Sequence, residues 1–195
     1  MSRYFSLDEI KKPDTWAASA AEFIGTMIFV FIGVGSVVGS SIFIGEMGVA
    51  SGGQLLVIAL GHGLGIATVV AAVAKISGGH LNPAVTISMF FSGNIDGFKG
   101  SMYVIAQLMG ATCGALLIKA IVPDALEGNL GSHAIAPGLG IGSAILLEMC
   151  LTFILVFVIY ATAVDTRGPS NLAPFAIGMV VVMTAFVGAA LTGGS

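Results

Sequence analysis

One polar segment interrupts an otherwise apolar sequence: Ser77-Gly78-Gly79-His80-Leu81-Asn82-Pro83-Ala84-Val85. Within it, Asn82 and Pro83 have the pattern of a helix start, with Asn at the N-cap and Pro at the first helical position. The predicted helix, Pro83 to about Phe91, is roughly nine residues long, which at ~1.5 Å per residue covers about half of a bilayer's hydrocarbon core. Such a half-length helix brings backbone carbonyls and a helix N-terminus to the middle of a membrane. The pattern therefore predicts a pore or transport site.

The composition places the chain among membrane proteins. Only 9% of the residues are charged, 56% are hydrophobic and the mean hydropathy is +1.04, whereas soluble domains carry about 25% charged residues. A net charge of −3 without a basic run argues against a nucleic-acid partner. The sequence contains no phosphate loop, metal-ligand spacing or nucleophile–base motif, so we predict no enzyme, no metal and no cofactor.

Five apolar stretches approach the ~20 residues that a membrane-spanning helix needs. The predicted spans are Trp16–Val38, Leu55–Ala74, Ser101–Val122, Ile141–Val164 and Leu172–Leu191. Trp16 suits an anchor at the membrane interface. Asp14 and Thr15 are predicted to cap the first helix, with Pro13 just outside it.

The placement of lysine and arginine predicts the orientation. With the N-terminus and residues 1–14 in the cytoplasm, six of the seven basic residues lie on the inner side: Arg3, Lys11, Lys12, Lys75, Lys99 and Arg167. Only Lys119 then lies on the outer side. The polar segment around Asn82 is therefore expected to enter the membrane from the cytoplasmic side.

The chain contains an internal repeat. Ala21–Phe31 aligns with Leu147–Phe157 with five of eleven positions identical, and Ile76–His80 aligns with Leu191–Ser195. Three spans separate the two copies of the first element, so the second copy has inverted topology, which places a site at the membrane midplane.

These residues resemble the aquaporin family (major intrinsic proteins) from about Ala20 to Ser195. The motifs that carry the resemblance are Ala21–Thr26, Ile76–Thr86, Ala106-Gln107 and Leu172–Gly178. It implies an all-α polytopic fold, a right-handed helix bundle with an inverted repeat and two half-helices that meet at paired Asn-Pro-Ala motifs. It also implies a homotetramer in the lipid membrane, with four pores for passive flow of water or small neutral solutes.

The second Asn-Pro-Ala motif and the arginine after it are absent from the sequence. We therefore interpret residues 1–195 as one channel domain that is incomplete at its C-terminus. It holds five spanning helices and one re-entrant half-helix, while the second half-helix and the sixth helix are missing.

The resemblance assigns pore roles to the polar segment. The Asn82 side-chain amide would donate hydrogen bonds to passing water, and the alternative is an ordinary N-cap. Pro83 and Ala84 would let two half-helices abut. A ladder of acceptors for single-file water would come from the backbone carbonyls of Gly78, Gly79 and His80, because glycine permits the required backbone without Cβ clashes.

Three further residues match the selectivity filter of the family. His62, in Leu60-Gly61-His62-Gly63-Leu64, resembles the plant vacuolar-membrane aquaporins. A neutral imidazole offers a donor and an acceptor to a solute, and the alternative is a buried histidine bonded to a neighbouring helix. Ala185 and Gly194 are small and would leave a wide opening. We therefore hypothesise that ammonia, urea or hydrogen peroxide permeates besides water.

Two carboxylates occupy equivalent positions of the repeat inside spans, Glu22 and Glu148. An intramembrane carboxylate is expensive and needs partners, so the choice lies between a proton relay and a brace for the two dipping loops. The resemblance favours the brace and gives Gln107 a similar interior role.

The leading interpretation is a water and solute channel in the cell membrane. A glycerol-type facilitator and a non-conducting membrane fragment remain as alternatives. An intramembrane hydrolase that uses His62 or His80 with Glu22 is disfavoured, because no motif pairs a serine or cysteine with a histidine.

Overall fold

The computed structural model describes residues 5–47 and 52–194, and these residues form helices and connections without a strand. The helices are α1 (Pro13–Met47), α2 (Gly52–Ser77), α3 (Pro83–Phe91), α4 (Gly97–Ile121), α5 (Ile141–Ile159) and α6 (Ala173–Gly188). Five of them, all except α3, are long and apolar enough to cross a membrane. The all-α fold class is confirmed. Arg3, residues 48–51 of the first outer connection and Ser195 lie outside the described residues.

The helix α3 has the predicted bounds, whereas several ends of the spanning helices differ. The predicted start of α1 is wrong, because Pro13 lies inside the helix as its first residue, where a missing N–H costs nothing. Thr15 does not cap the helix; its hydroxyl donates to the Glu9 carboxylate at 2.7 Å. A hydrogen bond from Lys12, reinforced by the one from Thr15, lowers the pKa of Glu9.

The far ends of two spans also differ from prediction. Helix α1 continues past Val38 to Met47, and the hydroxyls of Ser40 and Ser41 bond back to the Val37 carbonyl within it. Helix α6 ends at Gly188 rather than Leu191, because three successive amides beyond it all donate to the Gly188 carbonyl. Hydropathy does not detect the end of α6, since that end depends on local backbone hydrogen bonds.

The chain divides into two compact units, Met1–Phe31 with Val69–Leu117, and Ile32–Thr68 with Ile118–Ser195. We call them the first and the second unit. Each unit combines parts of several helices, so the boundary runs through α1, α2 and α4. That residues 1–195 form one channel domain stays a prediction.

Close helix contacts in the first unit depend on two glycines of α4. A Cβ atom on Gly110 would lie 2.3 Å from the Phe23 carbonyl oxygen, and one on Gly114 would lie 2.5 Å from that of Met27. The sequence leaves open whether this small-xxx-small pair serves contacts within the chain or between subunits. The structure places both glycines against α1 of the same chain.

We expect Gly110→Ala to destabilise the protein by about 1–3 kcal/mol, the usual cost of overpacking. The added methyl group meets backbone, which cannot move aside as a side chain can. Gly142→Ala on α5 is the matched control, since its Cβ would meet nothing within 4 Å. Thermal unfolding in detergent, followed by circular dichroism, measures both variants. Equal midpoints for the two would contradict the prediction.

Glycines next to His62 bring helices together in the second unit. A Cβ atom on Gly63 would lie 2.6 Å from the Gly178 carbonyl oxygen of α6, and one on Gly61 would lie 2.6 Å from the Ser36 side chain of α1. The backbone of α2 is thus held close to both neighbours at the level of His62.

Candidate functional site

The polar segment between α2 and α3 has an unusual backbone. Gly78 and Gly79 have φ values of +94° and +65°, and Leu81 has a φ of +53°. Glycine adopts this region freely, whereas a residue with a Cβ atom is strained there by about 1–3 kcal/mol. The Leu81 side chain is buried and packs against Gly25 of α1. Burial of this side chain therefore helps to hold the turn that leads into α3.

Glu22 is the centre of the hydrogen bonds that hold this segment. Its Oε1 accepts from the Ser77 hydroxyl at 2.6 Å and from the His80 amide at 3.0 Å. Its Oε2 accepts from the Leu81 amide at 2.6 Å and from the Gln107 side chain at 2.8 Å. Glu22 is fully buried, so these four donors replace the water that a carboxylate loses on burial.

A second layer of polar contacts supports the first. The Gln107 amide also donates to the Thr86 hydroxyl at 2.9 Å, and the His80 Nδ1 lies 3.1 Å from that same hydroxyl. Tyr103 donates to the Ser77 carbonyl at 2.7 Å, and its ring meets the His80 ring edge-on with 5.2 Å between centroids. The His80 side chain therefore bonds to the Thr86 side chain of α3.

Asn82 caps α3 with the oxygen of its side-chain amide. Its Oδ1 accepts from the Ala84 amide at 2.8 Å. Its Nδ2 donates to no group among residues 5–47 and 52–194, and within those ranges the carbonyl oxygens of Gly78, Gly79 and His80 accept no hydrogen bond. Asn82 and His80 are half-buried. The segment thus presents one donor and three acceptors that the described protein does not satisfy.

The second unit repeats part of this arrangement. The Thr192 hydroxyl donates to Glu148, as Ser77 does to Glu22, and the Gly194 amide lies 3.4 Å from that hydroxyl. Gly193 and Gly194 have φ values of +96° and +70°, matching the first Gly-Gly pair. The repeat seen in the sequence is therefore present in the backbone.

The two carboxylates differ in their surroundings. Glu22 is covered by Gln107 from α4, whereas half-buried Glu148 borders an open cavity of about 720 Å³. Other residues that line this cavity include His133, Ile135, Met149, Phe153 and Thr192. Glu148 therefore lacks the dense cover that encloses Glu22, although its sequence context is equivalent.

His62 lies half-buried on α2 in the second unit. Its Nδ1 is 2.8 Å from the Ile58 carbonyl oxygen, one turn earlier in the same helix. A carbonyl oxygen can only accept, so Nδ1 carries the proton. This backbone bond thus lies within α2. Ala185 of α6 and Gly194 are also half-buried members of this unit.

Known proteins share this sequence and fold. Aquaporin TIP1-2 from Zea mays is 41% identical over 189 residues, which cover 96% of this chain and 73% of that protein. A probable aquaporin TIP-type from Medicago truncatula is 39% identical and covers 96% and 74% of the two chains. The family model described as major intrinsic protein matches residues 9–195. The chain belongs to the major intrinsic protein family.

Membership confirms the resemblance that the motifs indicate. A solved aquaglyceroporin structure from Plasmodium falciparum has the same fold, with a TM-score of 0.80 at 24% identity over 92% of this chain and 75% of that one. With five helices able to span a bilayer, this member of the family is an integral, multi-pass membrane protein.

Several residues that contribute to the site were not predicted from the sequence motifs. Thr86 ends the Ile76–Thr86 motif, but nothing in the sequence indicates its bonds to Gln107 and His80. Tyr103 gave no signal, because its bond to Ser77 arises only in the folded chain. Thr192 could have been found, since the repeat aligns it with Ser77. The other predicted site residues lie as follows: Pro83 is half-buried and Ala84 is exposed at the start of α3.

Proposed function

We propose that this protein is a passive channel for water and has no catalytic activity. The observation that carries the proposal is the set of unsatisfied polar groups at the entry of α3: the Asn82 Nδ2 and the carbonyl oxygens of Gly78, Gly79 and His80. Relatives about 40% identical are named aquaporins, which supports the same function.

The physical reason is the free-energy cost of leaving such polar groups without a hydrogen-bond partner. A buried donor or acceptor without a partner costs about 1–3 kcal/mol, and lipid offers none. Water that passes along the segment meets acceptors at the three carbonyls and a donor at Asn82. The N-terminus of α3 adds about half a positive charge, which opposes cations and protons.

The direct test is water flow into proteoliposomes that contain the complete protein. Stopped-flow light scattering after an osmotic step should give shrinkage well above that of empty vesicles, without a matching rise in proton flux. Rates equal to those of empty vesicles would overturn the proposal. The alternative of a non-conducting membrane fragment predicts such rates for residues 1–195 alone.

We extend the proposal to the filter residues His62, Ala185 and Gly194. The two small residues leave room for a solute larger than water. The His62 Nδ1 proton goes to the Ile58 carbonyl, so Nε2 is the ring nitrogen that can accept a hydrogen bond from the solute. Ammonia, urea and hydrogen peroxide are the solutes proposed. Glycerol is not favoured as a solute, because no tryptophan or phenylalanine occupies a filter position. The similarity to the aquaglyceroporin structure supports a shared fold and not a shared solute.

We expect His62→Phe to lower ammonia and urea permeability relative to water by about fivefold, since one hydrogen bond of ~1 kcal/mol is lost. Leu64→Phe is the matched control, as it adds the same ring to an exposed position of α2. Vesicle swelling in each solute measures the rates. If His62→Phe leaves every rate unchanged, the filter assignment is wrong.

Assembly and location complete the proposal. A homotetramer in a lipid membrane, with the N-terminus in the cytoplasm, follows from the family resemblance and the placement of basic residues. From the sequence alone we predict the cell membrane. The TIP-type relatives and the His62 pattern, which resembles plant vacuolar-membrane aquaporins, argue instead for an internal membrane.

A further inference from the structure

Gly33 of α1 lies directly against the imidazole of His62. A Cβ atom built on Gly33 would be 2.7 Å from His62 Nε2, 2.9 Å from Cδ2 and 3.3 Å from Cε1. Cβ contacts under 3.0 Å are essentially never found in real structures. Gly33 is itself buried. The ring therefore occupies space that exists only because residue 33 has no side chain.

The opposite edge of the same ring is held by a hydrogen bond. The Nδ1 proton goes to the Ile58 carbonyl oxygen at 2.8 Å, which restricts rotation of the side chain about χ1 and χ2. With one edge bonded to its own helix and the other against the Gly33 backbone, the imidazole has little freedom to turn. A methyl group at position 33 would force the ring to leave the Ile58 bond or would push α1 from α2.

We propose that Gly33 is a specificity-determining residue, which sets the position of the His62 imidazole and thereby the solutes that the filter accepts. This inference rests on the proposed filter role of His62. Gly33 acts through His62 as a positioning residue, by steric fit alone. A side chain at position 33 and the observed ring position exclude each other.

Gly25, Gly35 and Gly39 of α1 do not share this contact. Gly25 faces the Leu81 side chain, and Gly35 faces Ile118 at 3.2 Å. Gly39, six positions after Gly33 on the same helix, has nothing within 4 Å of its Cβ position. Gly39→Ala is therefore a matched control: it adds the same methyl group to the same helix in open space.

The experiment compares Gly33→Ala, Gly39→Ala, His62→Ala and the double variant Gly33→Ala/His62→Ala in proteoliposomes. We expect Gly33→Ala to lower the ratio of ammonia to water permeability by about fivefold, the loss of one hydrogen bond, and Gly39→Ala to leave it unchanged. In the His62→Ala background, Gly33→Ala should have no further effect. An unchanged ratio in Gly33→Ala, or an equal change in both backgrounds, would overturn the proposal.

Two further measurements keep the inference separate from the proposed function. The ¹⁵N chemical shift of His62 Nδ1 reports the Ile58 bond whether or not solutes pass. This chemical shift should change in Gly33→Ala and stay unchanged in Gly39→Ala. An absence of water flow in vesicles with the wild-type protein would refute only the proposed channel function. If Gly33→Ala does not fold, the double variant has room for the methyl group and should recover folding. A double variant as unstable as the single one would overturn the proposal.

Discussion

Glu22→Gln is expected to abolish water flow and to lower the unfolding free energy by several kcal/mol. The carboxylate accepts four hydrogen bonds, from Ser77, His80, Leu81 and Gln107. In glutamine one of the two oxygens becomes an NH₂ group, which would face donors. Each buried donor that loses its acceptor costs about 1–3 kcal/mol, and either the His80 or the Leu81 amide of the turn loses the bond that holds it.

Thermal unfolding in detergent and stopped-flow water permeability test this prediction together. Asp14→Asn is the control, because it removes an exposed carboxylate from the same helix. It should change neither quantity. A Glu22→Gln variant that conducts water at the wild-type rate would show that the carboxylate is not needed to hold the polar segment. A variant that stays fully stable but conducts protons differently would favour the proton-relay alternative.

Asn82→Asp should separate the capping role of Asn82 from its proposed pore role. Aspartate caps a helix about as well as asparagine, so the bond to the Ala84 amide is retained and stability should not change. The Nδ2 donor is lost, and a negative charge replaces it at the N-terminus of α3. We expect water permeability to fall at least about fivefold and the exclusion of cations to weaken.

The companion variant Asn82→Ala removes cap and donor together. It should lose a further ~1 kcal/mol of stability as well as water permeability. Asn94→Asp, on the exposed connection after α3, is the control for the added charge. Osmotic shrinkage and cation flux in proteoliposomes measure the outcome. If Asn82→Asp keeps both the water rate and cation exclusion, Asn82 is an ordinary N-cap and the pore role fails.

The features that the sequence predicts correctly are those decided by nearby residues. Hydropathy over about 20 residues locates the five spans, and the Asn-Pro pair locates the start of α3, since an N-cap bond joins residues only two apart. The repeat also identifies Glu22 and Glu148 as an equivalent pair. Where local backbone hydrogen bonds end a helix, as at Gly188, hydropathy misplaces the boundary.

The tertiary structure decides which residues meet. Glu22 bonds Ser77 across 55 positions and Gln107 across 85, and no local pattern encodes such a distance. The same holds for Gly110, which packs on α1 of its own chain, and for Gly33, whose missing side chain makes room for His62. Sequence by itself therefore determined the spans, the half-length helix and the family. The partners of each polar group depended on the packing of helices, because hydrogen bonds and steric fit act only at contact distance.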